Sequence, residues 1–315
     1  MNMILRIFVL VVCAGLPAQL LAQEVIRAAE VPALTEGPTV DAEGNLYFTE
    51  LRAERIYRLS IEGELTVFRE QSYRANGLVI DQQGRLIACE GGDATVPPRV
   101  TRTDLRTGEI TVIADAYQGQ RFSGTNDVTI DNSGRIYFTD PGAGRVYRID
   151  PNGQIALVLS NPDINRPNGL QIAPDDRTLY IIESGAAPDG DRSIRAFDLA
   201  ADGRASNGRI IFSFAGRSGD GMSVDVEGNL YISAGLNELA PPGALEAARV
   251  WPEAARLTPA GVYVISPQGE LLKIIPIDED VMTNNAFGGP DMKTLYITSG
   301  RTVFKVQNDI AGLPR

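Results

Sequence analysis

One position in a repeated segment of this chain always carries a side chain that ends in a carboxylate or an amide. The segment EGPTVDAEGNLYFTE, residues 36–50, returns five times in altered form. Counting back eleven residues from a marker residue, or twelve where the turn is one residue longer, selects Glu36, Asn76, Asn126, Asn168, Asp220 and Asn284. Carboxylate and amide oxygens are the ligands that hard divalent cations prefer, so the pattern predicts a cation site.

The residue types narrow the chemistry that such a site could do. Two carboxylates and four amides suit Ca²⁺ best, with Mg²⁺, Mn²⁺ or a more weakly fitted Zn²⁺ as alternatives. The chain has no histidine, which excludes Ser-His and Cys-His nucleophile systems and the usual zinc sites. A catalytic base would then have to be a carboxylate. For any single position, a turn-forming role of Asn or Asp is the competing interpretation.

The elements that must position these side chains are short strands. Six segments combine a turn with an alternating apolar run, and their marker residues are Tyr47, Ile87, Tyr137, Tyr180, Tyr231 and Tyr296. Separations of 40, 50, 43, 51 and 65 residues match one four-stranded propeller blade plus its loops. The sequence therefore predicts an all-β fold, a six-bladed β-propeller. EVIRAAEV, residues 24–31, is expected to close the last blade as its outer strand.

The blade repeat predicts where the oxygen-bearing residues meet. Each lies just before the first and innermost strand of its blade. Six symmetric copies of an inner strand surround a central channel, so residues at the same point of each strand converge at one end of it. The sequence therefore predicts one ring of oxygen-bearing side chains at that end.

Longer motifs resemble a known family. They are LTEGP at 34–38, TNDVTIDNSGRIYFTDP at 125–141, RPNGLQIAPDDRTLYIIES at 166–184 and GDGMSVDVEGNLYISA at 219–234. Together they are similar to the senescence marker protein, gluconolactonase and luciferin-regenerating enzyme family of six-bladed propellers. The resemblance extends over nearly the whole chain after residue 22.

The resemblance implies an activity and a ligand set. Members of this family hydrolyse lactones with a divalent ion, and the matching positions here are Glu36, Asn168 and Asp220. It also implies that Asn126 contacts the substrate or the water at the metal. Asp220 is the predicted general base because one carboxylate oxygen can bind the ion while the other receives the proton of a water.

Further residues near the predicted ring have proposed roles. Asn76 and Asn284 are expected to contact the substrate, and Arg121 could hold a substrate hydroxyl or carboxylate unless it is an ordinary surface arginine. Asp127 follows Asn126 and should point to the other side of its strand as a structural hydrogen-bonding group. Cys89 lies in the apolar run LIAC and is expected to be a core residue.

The chain as a whole is expected to be exported. Residues 1–22 combine Arg6, an apolar run and a small-residue end, which is typical of a cleavable signal peptide and predicts a periplasmic or secreted protein. Residues 23–315 are expected to form one domain. The net charge of -11 disfavours nucleic acid and anionic membranes as partners, and no other segment is long and apolar enough to span a membrane. The oligomeric state is left open.

One insertion interrupts the repeat. Residues 237–260, NELAPPGALEAARVWPEAARLTPA, include a helix-prone stretch and the single tryptophan. They follow the blade-five strand near the predicted ring and are interpreted either as a partial lid or as a surface decoration.

The leading functional hypothesis is a divalent-metal-dependent hydrolase of lactones. Its main alternative is a non-catalytic propeller that binds a ligand or a protein and uses the ring as a structural ion site. A phosphotriester hydrolase of the same architecture is a third hypothesis.

Overall fold

The computed structural model describes residues 23–185, 189–235, 257–279 and 281–314. Within these residues the chain forms 26 β strands. Six antiparallel sheets of four strands surround a central channel, and one small hairpin lies outside them. This arrangement confirms the predicted six-bladed propeller.

The first three blades follow one another along the chain. Blade one contains β2 (Thr35–Val40), β3 (Leu46–Glu50), β4 (Arg55–Leu59) and β5 (Leu65–Arg69). Blade two contains β6 (Ala75–Ile80), β7 (Arg85–Glu90), β8 (Arg99–Asp104) and β9 (Ile110–Ala114). The hairpin of β10 (Ala116–Tyr117) and β11 (Gln120–Arg121) leads into blade three, which contains β12 (Val128–Ile130), β13 (Ile136–Asp140), β14 (Arg145–Ile149) and β15 (Ile155–Leu159).

The last three blades complete the ring. Blade four contains β16 (Pro167–Ile172), β17 (Thr178–Ser184), β18 (Arg192–Leu199) and β19 (Ala205–Ser213). Blade five contains β20 (Gly219–Val224), β21 (Leu230–Ala234), β22 (Gly261–Ile265) and β23 (Leu271–Pro276). Blade six contains β24 (Met282–Gly288), β25 (Thr294–Ser299), β26 (Thr302–Gln307) and, from the other end of the chain, β1 (Val25–Glu30).

Both ends of the chain therefore meet in blade six. β1 pairs antiparallel with β26, and Val25 lies opposite Val306 in the register. This confirms the expectation that the N-terminal strand closes the last blade. The inner strands contact one another in the order β2, β6, β12, β16, β20, β24 and back to β2.

A repeated aspartate turn fixes the start of the second strand. In four blades an Asp side chain accepts a hydrogen bond from the backbone N–H four residues later, namely in the pairs Asp41–Asn45, Asp81–Arg85, Asp131–Arg135 and Asp225–Asn229. The glycine of each turn has a positive φ, for example 88° at Gly44, which costs a glycine nothing. Because the turn sets the register, it also sets where the inner strand begins.

Apolar side chains fill the spaces between neighbouring blades. Six buried clusters form, and each combines residues from two adjacent blades. The marker tyrosines belong to these clusters. Tyr231, for example, is 1% exposed and meets Phe287 of the next blade edge to face at 4.8 Å. The repeated tyrosine is thus a packing residue that holds blades together.

The C-terminal segment covers the channel end at which the inner strands finish. Gly312 bridges to Asp225, and the Leu313 N–H donates to the Val224 carbonyl at 3.0 Å. Leu313 and Met292 line a cavity of about 100 Å³ inside the channel. The opposite end, where the inner strands begin, is the one that carries the predicted ring. Within the described residues, no helix has the length and apolar character needed to cross a bilayer.

Candidate active site

A β-bulge aims the oxygen-bearing side chains at the channel. The strand register shifts by one residue across the positions that contain Glu36, Asn76, Asn168 and Asp220. A bulge leaves the extra residue outside the ladder and redirects its side chain. These four residues occupy the same point of four inner strands for this local reason.

The redirected side chains share one cavity of about 140 Å³, which we call the mouth. The members that matter for chemistry are Glu36, Asn76, Asn126, Asn168, Asp220 and Thr283. The structure thus brings together the three predicted metal ligands and two of the predicted substrate contacts, Asn76 and Asn126.

Blade six departs from the predicted ring. Tyr296 pairs with Ala286, ten residues earlier, whereas Tyr180 pairs with Gln171, nine residues earlier. In blade one, Tyr47 pairs with Thr39, only eight residues earlier. The blade-six hairpin is therefore two residues longer than that of blade one, whereas the choice of Asn284 assumed that it is one residue longer. The position that matches the ring is Thr283.

Asn284 accordingly lies below the mouth. It is 6% exposed and lines the cavity inside the channel instead. The predicted substrate contact of Asn284 is corrected to a place in the channel wall, because one extra turn residue moves the whole strand along its register.

Arg121 lies away from the mouth as well. It belongs to the β10–β11 hairpin, its side chain is 61% exposed, and its Nη1 pairs with Asp115 at 3.0 Å. The structure places it as a surface arginine, the alternative that its sequence context had left open.

Asp220 is held from two sides. Asn168 donates from Nδ2 to its Oδ1 at 2.6 Å, and Arg217 donates from Nη2 to its Oδ2 at 2.9 Å. Arg217 also donates from Nη1 to the Met282 carbonyl at 2.8 Å, so the guanidinium is itself fixed. The carboxylate therefore has a defined orientation, which suits a ligand or a base.

Glu36 is a buried carboxylate among like charges. It is 5% exposed, and burial together with the charges of Asp220 and Asp127 raises its pKa well above the usual value. The Gly37 N–H donates to Oε2 at 3.1 Å and lowers the pKa in part. Crowded acids of this kind are stabilised by a cation, so the charge at the mouth fits a divalent ion.

The side-chain oxygen atoms at the mouth also suit a divalent cation. Glu36, Asn168 and Asp220 offer oxygen atoms from three side chains, and the Asn168 amide nitrogen faces Asp220, which leaves its oxygen as the ligand atom. Over the described ranges, no three His, Cys, Asp or Glu side chains form a cluster of metal-binding type. Asparagine must therefore supply part of any cation site here.

Asp127 is a structural hydrogen-bonding group, as expected, but it also lies on the channel. Its Oδ1 accepts the Val128 N–H at 2.9 Å, and Asn284 donates from Nδ2 to its Oδ2 at 3.3 Å. Burial is the main reason why its pKa rises to about 7.

Cys89 is fully buried, which confirms it as a core residue, and burial raises the pKa of its thiol.

Three arginines at the mouth were not predicted from the sequence. Arg166, Arg192 and Arg217 all line the cavity. Two of them could have been found, because Arg166 precedes Asn168 by two residues and Arg217 precedes Asp220 by three. Arg192 has no such signal, since it comes from the third strand of blade four and only the fold brings it in.

Buried acids support the segments that lead into the ring. Glu183 accepts the backbone N–H groups of Asn165 and Arg166, and Asp140 accepts that of Ser123 at 2.8 Å. Burial raises the pKa of both carboxyls, and these N–H donors lower it in part. Their oxygens are used in holding loops, so they act as supports for the mouth.

A larger depression of about 1480 Å³ lies at the other face, around the aspartate turns. Its aspartates are committed to their own turns, as when Asp81 binds the Arg85 guanidinium at 2.7 Å. The ring residues do not belong to it, so the mouth is the better candidate. The predicted lid, residues 237–260, falls outside the described residues except for 257–260.

Comparison with known proteins agrees with this geometry. Residues 34–301 match the family described as SMP-30/Gluconolactonase/LRE-like region. A gluconolactonase of Zymomonas mobilis is 25% identical over 88% of this chain and 79% of its own. A solved gluconolactonase of Xanthomonas campestris is 26% identical, with a TM-score of 0.74 and 92% of each chain covered.

A third similarity bears on the fold alone. The calcium-binding protein regucalcin of Agrobacterium tumefaciens is 17% identical, with a TM-score of 0.70 over 93% of this chain and 98% of that one. The family match covers most of the chain and confirms the resemblance that the sequence motifs indicated. The chain belongs to the SMP-30, gluconolactonase and luciferin-regenerating enzyme family.

Proposed function

We propose that this protein is a divalent-metal-dependent hydrolase of lactones. The single observation that supports this most is the meeting of Glu36, Asn168 and Asp220 at one cavity, in a chain of a family that includes gluconolactonases. Ca²⁺ is the proposed ion, since the ligands are oxygens alone, with Mg²⁺, Mn²⁺ and Zn²⁺ as alternatives.

Glu36, Asn168 and Asp220 would hold the ion. When bound, a divalent cation polarises an ester carbonyl and lowers the pKa of a water. Asn126 and Asn76 lie at the same cavity and present amide groups that can orient the hydroxyls or the ring oxygen of a lactone.

Asp220 is the proposed general base. Arg217 donates to its Oδ2 and Asn168 donates to its Oδ1. Each carboxylate oxygen has a second lone pair, and Oδ1, which is away from the guanidinium, is the atom proposed to take a proton from the attacking water. Water adds to the carbonyl carbon, the acyl–oxygen bond of the ring breaks, and the same proton passes to the departing ring oxygen. The product is an open-chain hydroxy acid. Arg217 keeps Asp220 oriented and stabilises its negative charge.

The site of action is part of the proposal. The signal-like residues 1–22 support a protein that works in the periplasm or outside the cell.

A panel of aldonolactones, aliphatic lactones and aryl esters, assayed with and without a chelator, tests the activity. We expect hydrolysis of lactones that chelation abolishes and Ca²⁺ restores. If the protein binds Ca²⁺ but hydrolyses nothing in the panel, the non-catalytic binding propeller is the better description. Lactone hydrolysis that survives exhaustive chelation would contradict the metal dependence.

A further inference from the structure

Arg217 is a cation that is fixed inside the mouth. It lies three residues before Asp220, in the segment that leads into β20, and its side chain is 11% exposed. Nη2 donates to the Asp220 Oδ2 at 2.9 Å, while Nη1 donates to the Met282 carbonyl at 2.8 Å and to the Gly235 carbonyl at 3.2 Å. A planar guanidinium that is held by three acceptors cannot turn away easily, so its positive charge stays at this point.

The two carbonyls that hold Arg217 belong to the framework of the propeller. Gly235 follows the second strand of blade five, and Met282 is the first residue of the inner strand of blade six, directly before the ring position Thr283. Gly235 has a φ of 81°, and a β carbon there would overlap the Pro259 carbonyl, so its backbone is closely packed. The positions of two neighbouring blades therefore fix where this charge lies.

The charge of Arg217 acts on both carboxylates of the mouth. Glu36 and Asp220 are the acids among its described lining residues. Arg217 forms an ion pair with Asp220, and its charge also lowers the pKa of Glu36 in part, against the larger effects of burial and of neighbouring acids. The protein itself thus balances part of the negative charge that Glu36 and Asp220 present to the proposed ion.

An internal cation at these oxygens should weaken the binding of a metal ion. The Ca²⁺ affinity of an oxygen site depends on the charge of its ligands and on its rigidity. The guanidinium is always protonated, so it repels a divalent ion that approaches Asp220. The orientation of the Asp220 carboxylate does not depend on Arg217 alone, because Asn168 donates to Oδ1 at 2.6 Å. Removal of Arg217 should therefore relieve repulsion more than it loosens the ligand.

We propose that Arg217 sets the metal affinity of the mouth. Its fixed positive charge lowers the affinity for a divalent ion, so that the occupancy of the site follows the Ca²⁺ concentration around the protein. The inference rests on the proposed function, because it concerns the ion that Glu36, Asn168 and Asp220 would hold. It adds to that function a dependence of activity on external Ca²⁺, built into the site by one side chain.

Calorimetric titration of the chelator-treated protein with Ca²⁺, in the absence of any lactone, tests the proposal. A charge a few ångströms away changes the affinity of a group for a proton by about tenfold to a thousandfold. The mouth is partly open to water, and Arg217→Gln also loses a contact to Asp220, so we expect an effect at the lower end. The Kd for Ca²⁺ should be about tenfold lower in Arg217→Gln than in the wild type. A Kd that is unchanged or higher in this variant would overturn the proposal.

Further variants separate the charge of Arg217 from its packing. Arg217→Lys keeps the positive charge but loses the planar fork, so its Kd should lie within about threefold of the wild type. Arg204→Gln is the control and should leave the Kd unchanged, since Arg204 is 82% exposed and pairs with Asp202. If Arg217→Gln does not fold, Arg217→Met gives the same comparison with another unbranched, uncharged side chain. Equally tight binding by Arg217→Lys and Arg217→Gln would show that charge does not decide, and would refute the proposal.

A rescue experiment provides an independent test. Asp220→Asn removes the ion-pair partner of Arg217, so the guanidinium should oppose the metal ion more strongly than in the wild type. Adding Arg217→Gln to Asp220→Asn should then recover about tenfold in Ca²⁺ affinity. No recovery would contradict repulsion by Arg217.

These measurements separate the inference from the proposed function. If Arg217→Gln binds Ca²⁺ more tightly but no lactone is hydrolysed, the enzyme assignment fails while the role of Arg217 stands. If lactone hydrolysis requires Ca²⁺ but the Kd is the same in Arg217→Gln, the proposed function stands and the inference fails. If neither the wild type nor Arg217→Gln binds Ca²⁺, both are wrong.

Discussion

Asp127 of blade three and Asn284 of blade six join across the channel directly beneath the mouth. The Asn284 Nδ2 donates to the Asp127 Oδ2 at 3.3 Å, although 157 residues separate them in sequence. Both follow a ring position, where blades one, two, four and five have Gly37, Gly77, Gly169 and Gly221. A β carbon on Gly77 would lie 2.3 Å from the Asp127 Oδ1, and one on Gly221 would lie 1.9 Å from the Asn284 Cγ. The glycines thus leave room for one polar bridge between opposite blades.

The bridge leads to a prediction for Gly221→Ala. A methyl group at this position would overlap the Asn284 side chain, so the free energy of unfolding should fall by about 1 to 3 kcal/mol. Gly124→Ala is the matched control, because a β carbon there meets nothing within 4 Å. Denaturant titration measures both. Adding Asn284→Ala to Gly221→Ala should restore part of the lost stability, and no restoration would contradict the overlap as the cause.

Asp127 should make the stability of the metal-free protein depend on pH. Its pKa is about 7 in the folded protein and 3.8 as an ordinary Asp. The folded state therefore holds the proton more tightly, and the stabilisation from that proton is complete below the ordinary value and lost as the pH rises through about 7. Between pH 5 and 8, the free energy of unfolding should fall more steeply for the wild type than for Asp127→Asn. Parallel curves would show that Asp127 does not titrate in this range.

Chelation should destabilise the folded protein. An ion that binds the assembled mouth and not the unfolded chain stabilises by linkage, by about 2.7 kcal/mol at a hundredfold excess over its Kd. The melting temperature should fall on exhaustive chelation and rise again with added Ca²⁺. Glu36→Gln should respond less, since it lacks one of the charges that hold the ion. An identical melting curve with and without chelator would contradict an occupied, tight site.

Asp220→Asn tests the catalytic role. The substitution keeps the shape and an oxygen ligand but removes the base, so lactone hydrolysis at saturating metal should fall by about a hundredfold or more. Asp202→Asn is the control, because Asp202 has a side chain that is 55% exposed, on a turn outside the mouth. Initial rates measure the effect. Wild-type activity in Asp220→Asn would refute the assignment, provided that the metal is bound.

Asn76→Ala should weaken substrate binding, unlike Asp220→Asn, which should slow the chemical step. Asn76 lines the mouth outside the proposed metal ligands, so its loss should raise KM for the lactone more than it lowers kcat. Steady-state kinetics at several substrate concentrations separates the two parameters. A large fall in kcat with KM unchanged would instead place Asn76 in the chemical step.

The sequence predicted the blades well because turn chemistry repeats locally. An aspartate and a glycine at positive φ recur in four blades, a tyrosine marks five of the six, and all three act within a few residues. The ring was predictable in five blades for the same reason. The prediction of the ring failed in blade six, because the length of one hairpin cannot be read from residue types. Thr283, and not Asn284, has the matching register there. Arg192 was missed because a third strand brings it to the mouth, and such neighbours depend on the assembled fold.

Blade six, built from both ends of the chain, has a consequence for the order of folding. β1 is synthesised first, yet its partner β26 is among the last strands to be made. Until then β1 and β25 lack the strand that lies between them, and blade six is incomplete. Closure is therefore expected to be a late event that depends on contacts of very long sequence separation, which form slowly. Removal of residues 23–31 should leave the contacts of β24 with β2 and β20 in place but reduce blade six to three strands, with an exposed edge at β26.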